Sequence, residues 1–175
     1  KSITSGTVKI TGGTVEAYGE RGAGIGSGYG SNANMDITIS GGHVIAKCVS
    51  EKMQGAGIGG GAYNWGGGDF SGTVKITGGT VEAYGGGYKL ETRNGYAGTA
   101  GIGGSSGGDM TGTVIISGGS VTAEGKYGGA AIGAGSRDQN NGGACSGTIR
   151  ITGGNLFLKI HNPDSDLDQA NVIGG

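Results

Sequence analysis

Several features are scarce in this sequence of 175 residues, and each scarcity excludes a class of protein. There is one proline and no Gly-X-Y period, which excludes collagen despite the 47 glycines. No apolar run approaches the ~20 residues of a membrane helix, so we expect no membrane partner. Charged residues are sparse, the net charge is −1, and no basic stripe exists to track phosphates. We therefore expect no nucleic-acid partner either.

A repeat is what the sequence does contain, and a repeat decides the architecture. Residues 71–85 recur almost letter for letter at 5–19, and both copies are followed by Ala-Gly-Ile-Gly, at 100–103 and 23–26. Three more degenerate copies each pair a longer segment with a short one: 36–47 with 56–59, 111–125 with 130–133, and 146–159 with 171–174.

Alternation of apolar and polar residues predicts three short strands in each copy. In the first copy, residues 7–11 and 14–18 form two strands, and Gly12-Gly13 turns the chain because glycine reaches positive φ without steric cost. The segment 23–26 forms a third strand with Ala23 and Ile25 inward. Three short strands with two bends make one triangular turn of a solenoid.

A single turn cannot bury its apolar face alone, but stacked turns form a continuous core. The sequence therefore predicts an all-β, right-handed parallel β-helix of about five triangular rungs, with residues 1–175 as a single module. The alternative, a β-sandwich of Gly-Gly hairpins, leaves the isolated Ala-Gly-Ile-Gly strand unexplained. Because Lys1 starts in mid-pattern, we expect a module excised from a larger multidomain protein.

Copy length varies in two sets of loops, one on each side of the third strand, and such insertions often mark a binding side. Alternation places Gly24, Gly57 and Gly101 outward on that strand. Two interpretations remain open. The glycines either relieve crowding at a sharp corner, or form a flat floor of bare backbone between loop walls.

Most aromatic residues fall in those loops or on the outward side of the second strand. Tyr18 and Tyr84 share one outward position two rungs apart, with Lys47 between them. They should lie ~9.6 Å apart, which suits alternate sugars of an extended β-linked polysaccharide. The other candidate sugar-binding residues lie in the loops: Tyr88, Tyr96 and Tyr127 after the second strand, and Tyr29, Tyr63 and Trp65 after the third. Trp65 is the best single candidate. For the tyrosines a second interpretation stays open, because singly exposed tyrosines are common on ordinary surfaces.

Metal and cofactor signals are weak. Asp164, Asp166 and Asp168 alternate as calcium ligands often do, but they lack the central glycine and distal glutamate of an EF-hand. A calcium site and a solvated acidic loop both fit, and no other cofactor is expected.

The two cysteines are predicted to be free thiols. Cys48 lies three rungs from Cys145, or ~14 Å, beyond the ~7 Å Cα limit for a disulfide. Phe70, Met110 and Cys145 align just before the first strand and are predicted to form an inward ladder.

Catalysis is not expected. Glu16 and Glu82 share a column with Ile45 between them, and no second group sets a raised pKa. An ice-binding threonine array is also disfavoured, because Asp36 and the basic residues of the adjoining column, Lys9, Lys75 and Arg150, interrupt it.

The pattern Gly-Thr-Val-x-Ile-x-Gly-Gly-x-Val-x-Ala, followed by Ala-Gly-Ile-Gly-Gly, resembles the glycine-rich β-helix repeats of large secreted bacterial proteins. Among these it is similar to the modules of xylan-degrading enzymes, such as carbohydrate-binding module family 89. The resemblance implies a non-catalytic, extracellular, xylan-binding module attached to a catalytic domain, and we expect a monomer. No ligand residue carries over by motif. A structural stalk or adhesin segment of a bacterial surface protein is the alternative.

Overall fold

The chain winds into five stacked coils of short strands. The computed structural model describes residues 1–50, 52, 54–63, 66–90, 95–137, 142–162 and 171–175. Every regular element in these ranges is a β-strand. No helix there has the length and hydropathy of a membrane-spanning segment.

Each of the first three coils contributes two longer strands and one two-residue strand, and in the last two coils one 14-residue strand replaces the two longer ones. The first two coils contain β1 (Ser2–Ile10), β2 (Thr14–Gly19), β3 (Ile25–Gly26), β4 (Ser31–Ile39), β5 (His43–Cys48) and β6 (Ile58–Gly59). The third coil contains β7 (Thr73–Ile76), β8 (Thr80–Tyr84), a hairpin of β9 (Gly87–Leu90) and β10 (Gly95–Gly98), and β11 (Ile102–Gly103). The last two coils contain β12 (Thr113–Lys126), β13 (Ile132–Gly133), β14 (Ser136–Arg137), β15 (Thr148–His161) and β16 (Ile173–Gly174).

Three parallel ladders run along the solenoid axis. The first sheet contains β1, β4, β7 and the first halves of β12 and β15. The second sheet contains β2, β5, β8 and the second halves of β12 and β15. The third column pairs β3, β6, β11, β13 and β16. The right-handed parallel β-helix expected from the sequence is confirmed, since parallel crossovers are right-handed.

The core is a set of in-register apolar files. Ile25, Ile58, Ile102, Ile132 and Ile173 stack as neighbours in the third column, as predicted. Phe70 and Met110 are fully buried and bridge to one another, and Met110 bridges to Cys145, which confirms the inward ladder. Cys48 and Cys145 form no disulfide with each other, also as predicted. Burial raises the pKa of both thiols, which keeps them protonated and weakly reactive.

The third column differs from the flat floor that the sequence suggested. In each of the first four coils the first residue of the five-residue segment donates its N–H to the carbonyl of the fifth, as from Ala56 to Gly60 at 3.0 Å. The segment therefore doubles back as a narrow loop with its isoleucine at the tip. Such a loop offers no open surface between separate walls, so the floor interpretation is wrong.

The glycines of this loop are present because neighbouring backbones leave no room for a side chain. A Cβ on Gly57 would lie 2.5 Å from the backbone nitrogen of Tyr84 in the second sheet. Gly59 has φ +135°, and its Cβ would lie 2.1 Å from the carbonyl oxygen of Gly103 in the next coil. Gly57, Gly59, Gly101 and Gly103 are all buried, so the crowding interpretation is the one that holds.

Candidate functional site

The outward face of the second sheet carries the densest set of aromatic, acidic and basic side chains in register. Its central column runs Tyr18, Lys47, Tyr84, Glu124 and Lys159, one residue from each coil. The neighbouring column runs Glu16, Ile45, Glu82, Thr122 and Phe157. Parallel in-register pairing places these side chains at the ~4.8 Å strand spacing, so the predicted Tyr18–Lys47–Tyr84 column is confirmed. We call these two columns the tyrosine face.

Glu82 is the polar centre of the tyrosine face. Its carboxylate accepts a hydrogen bond from the Tyr84 hydroxyl at 2.6 Å, and His43 Nε2 lies 2.7 Å from its other oxygen. These hydrogen bonds, from Tyr84 first and then from His43, hold the pKa of Glu82 below its ordinary value. In turn, the bond to Glu82 raises the pKa of Tyr84 to about 12. Glu82 is therefore an anion, and Tyr84 a neutral donor, throughout the physiological range.

The first coil repeats half of this arrangement. The Tyr18 hydroxyl donates to Glu16 Oε2 at 3.1 Å, and this bond raises the pKa of Tyr18. Both tyrosines therefore lean back along their own strands toward the glutamate two residues before. Tyr18 is 54% exposed, and nothing in the first coil corresponds to the His43 contact.

Lys47 stands between the two tyrosines and is exposed. Its Nζ lies 5.7 Å from the centroid of the Tyr84 ring, within the range of a cation–π contact. The contact covers the side of the Tyr84 ring that is turned toward the second coil. A ligand that packs on this side of the ring has to displace or contact the ammonium.

Two of the loop tyrosines form a second aromatic group. The rings of Tyr29 and Tyr63 are 6.2 Å apart between centroids and tilted by 42°, and the Arg21 guanidinium lies 5.8 Å from the Tyr29 ring. The structure thus brings together residues from neighbouring coils. The remaining candidate of this loop set, Trp65, lies outside the described residues, and its role stays a prediction.

Tyr96 and Tyr127 form a third group, and their contacts indicate a structural role. Their rings stack with centroids 5.8 Å apart and planes 19° apart. Tyr127 has φ +49°, its N–H donates to the His161 carbonyl, and its own carbonyl accepts from Ser136 Oγ at 2.7 Å. The pair therefore fastens the β9–β10 hairpin to the fourth coil. Tyr88 lies opposite Ala97 in that hairpin.

The two loop sets touch each other instead of enclosing a groove. Ala62 N–H donates to the Arg21 carbonyl at 3.3 Å, which joins a loop after a third strand to one after a second strand. Farther along, β10 pairs with β14 and spans the same gap. The groove between loop walls, one of the two interpretations that the sequence left open, is therefore closed at these points.

Comparison with known families agrees with this architecture. The sequence matches the family described as a beta helix repeat at residues 8–29, 37–62, 74–108 and 114–136, which together make up more than half of the chain. This chain belongs to the β-helix repeat family. No curated protein and no solved structure matches it.

Metal binding by this β-helix repeat chain was predicted at Asp164, Asp166 and Asp168, which lie outside the described residues. Within the ranges that the structure describes, no group of three or more His, Cys, Asp or Glu side chains is placed to hold a metal ion. Asp69 and Asp109 cap neighbouring turns. The Asp69 carboxylate accepts a hydrogen bond from the backbone N–H of Asp109, and the Asp109 carboxylate accepts one from the backbone N–H of Ala144. The calcium site stays a prediction.

His43 is the residue that sequence reasoning missed in this β-helix repeat. Its contact with Glu82 is diagonal, from the second coil to a position two residues along in the third. Aligning the copies could have revealed this contact, because His43 shares a column with Thr80 and Glu82 lies two residues after Thr80 on the same face. Diagonal neighbours within ~7–8 Å are within reach of long side chains.

Proposed function

We propose that this β-helix is a non-catalytic module that binds an extended β-linked polysaccharide on the tyrosine face. One observation carries the proposal: Tyr18, Lys47 and Tyr84 occupy one outward column on three consecutive coils. The two tyrosines lie ~9.6 Å apart along the axis, about the length of two β-linked sugars. Apolar ring faces with polar tips suit the C–H faces of pyranose rings.

The polar residues of the tyrosine face supply what stacking alone does not. The Glu82 carboxylate and the hydroxyl of Tyr84 are fixed by their mutual hydrogen bond, and the carboxylate retains acceptor capacity for a sugar hydroxyl. Lys47 offers donors between the rings. Held by neighbours on the sheet, these groups lose little freedom on binding, which favours affinity.

The carboxylates of the tyrosine face support binding rather than hydrolysis. Glu16 and Glu82 are separated by Ile45, hence by ~9.6 Å between strands, at the upper limit for an inverting pair. A general acid needs a raised pKa, whereas the hydrogen bonds from Tyr84 and His43 lower that of Glu82.

Xylan is the polysaccharide to test first, because the sequence resembles xylan-binding modules. The same resemblance supports an extracellular location and a covalently linked catalytic domain, and both belong to the proposal. A structural stalk is the competing function. It requires the same solenoid but no ligand.

Affinity electrophoresis of the full chain in gels with and without soluble xylan tests the proposal. We expect xylan to retard the chain, and Tyr84→Ala or Tyr18→Ala to weaken retention about tenfold, as for the loss of a stacked aromatic. Tyr84→Phe is the matched control because it keeps the ring and removes only the hydroxyl. It should retain most of the binding.

The controls separate the tyrosine face from the loop tyrosines. Tyr29→Ala removes an exposed ring of the Tyr29–Tyr63 pair and should leave retention unchanged. If Tyr29→Ala abolishes retention while Tyr84→Ala does not, the ligand lies on the loops and the assignment to the tyrosine face is wrong. Absence of retention on a panel of neutral β-linked polysaccharides would favour the stalk.

A further inference from the structure

The outward face of the first sheet carries a regular column of cations that the proposed function does not use. Its middle column runs Lys9, Thr38, Lys75, Ile115 and Arg150. Cations thus occupy the first, third and fifth coils, with uncharged residues between them. Since each coil advances by the strand spacing, successive cations are ~9.6 Å apart along the axis.

These three cations are available to a ligand. Lys9, Lys75 and Arg150 are exposed. Among the described residues, the salt bridges that form involve other basic side chains, at Lys1, His43, Lys159 and His161. On the tyrosine face, by contrast, Lys159 is paired with Glu124 at 2.7 Å and Lys47 lies over the Tyr84 ring.

Hydroxyl groups border the cation column. The adjoining outward column runs Thr7, Asp36, Thr73, Thr113 and Thr148, in register with it. Each threonine hydroxyl donates one hydrogen bond and accepts others, as sugar hydroxyls do. Asp36 is the one carboxylate of these two columns, and it lies on the second coil, where the cation column has no charge.

We propose that this face binds a linear acidic polysaccharide that carries a carboxylate on every second sugar. Such a chain, laid along the axis, advances by about two coils per charge, so each carboxylate meets one cation. Duplex DNA carries one charge per ~1.7 Å, far denser than this column. An extended peptide repeats its same-face side chains every ~6.6 Å, which also does not fit.

Binding at this face should be multivalent and sensitive to salt. The cations are solvent-exposed, and charges in water are largely screened beyond a Debye length of ~10 Å at 0.1 M salt. Each contact is therefore weak, and retention depends on several contacts along one polymer.

The test uses hyaluronan, in which a carboxylate alternates with a neutral sugar, and the same polymer with its carboxyl groups reduced. At ~20 mM salt, where screening is weak, we expect hyaluronan to retard the full chain in affinity electrophoresis. Its reduced form should not. Replacing all three cations, by Lys9→Gln, Lys75→Gln and Arg150→Gln, should weaken retention about tenfold or more.

A charge-matched control removes three exposed cations from the loops and the β9–β10 hairpin, by Arg21→Gln, Lys52→Gln and Lys89→Gln, and should bind as wild type. A single Thr38→Asp variant, which places a carboxylate between Lys9 and Lys75, should also weaken retention. The proposal is overturned if both triple variants lose binding equally, if the reduced polymer binds as well, or if single-stranded DNA competes as strongly as hyaluronan.

Discussion

At the scale of single residues, contacts between backbones decide where this fold requires glycine. The sequence indicated which glycines recur but assigned Gly24, Gly57 and Gly101 outward, because strict alternation was extended into the third strand. Alternation fails there since the segment bends back within five residues, as the Ala56 to Gly60 hydrogen bond shows. A rule of period two applies only to extended chain.

Gly57→Ala should destabilise the protein by about 1–3 kcal/mol, the usual cost of overpacking. The added methyl would lie 2.5 Å from the backbone nitrogen of Tyr84, and a backbone atom cannot rotate away as a side chain does. Chemical denaturation measures the loss. Gly12→Ala is the matched control, because nothing lies within 4 Å of a Cβ there, and it should change stability by less than about 0.5 kcal/mol. Equal effects would contradict the packing explanation.

At the scale of elements, strands were predictable and insertions were not. The strands β1, β2, β7 and β8 follow the alternation of Val and Ile that the copies share, because one face of each must be buried. Within the described ranges no other copy has a counterpart of the β9–β10 hairpin, so alignment could not reveal it.

Tyr96→Ala should loosen the hairpin without unfolding the solenoid. The variant removes a stacked ring pair worth about 0.5–1.5 kcal/mol, so amide exchange in β10 should accelerate by about two- to tenfold. Hydrogen–deuterium exchange followed by mass spectrometry measures this. Tyr63→Ala, which removes the tilted Tyr29–Tyr63 pair, should leave β10 exchange unchanged. Unchanged exchange in Tyr96→Ala would show that the stacking does not fasten the hairpin.

At the scale of the whole molecule, burial is greatest in the middle coils and falls toward the last. Ile102 is fully buried, whereas Ile173, its counterpart in the fifth coil, is 46% exposed. Each coil contacts only its neighbours, so stability in such an array is approximately a sum of coil and interface contributions. The fifth coil of this chain should therefore contribute less than the third.

Ile102→Ala should cost about 2–5 kcal/mol, the range for deleting a buried isoleucine side chain. Ile173→Ala should cost less than about 1 kcal/mol, because nearly half of that side chain is already in water. Urea denaturation of both variants, with their m-values compared, makes the measurement. Similar losses would mean that the coils do not contribute independently.

The candidate site contains contacts within register columns, which were predicted, and diagonal contacts, which were not predicted. The Tyr18–Lys47–Tyr84 column followed from aligned copies, because parallel register converts sequence columns into spatial rows. The contact of His43 with Glu82 and the closed loop walls are not rows within one column. Both depend on how side chains and insertions from neighbouring coils meet, and no single copy of the repeat contains that information.

The small outer sheet of β9, β10 and β14 has a mechanical consequence. It ties an insertion of the third coil to one of the fourth, outside the ladders that every coil shares. Under a pulling force applied from the fifth coil, the described contacts that hold this coil to the fourth are its ladders and the side-chain contacts beside them. The fourth cannot leave until the β10–β14 pairing also ruptures, so peeling should pause there before it proceeds.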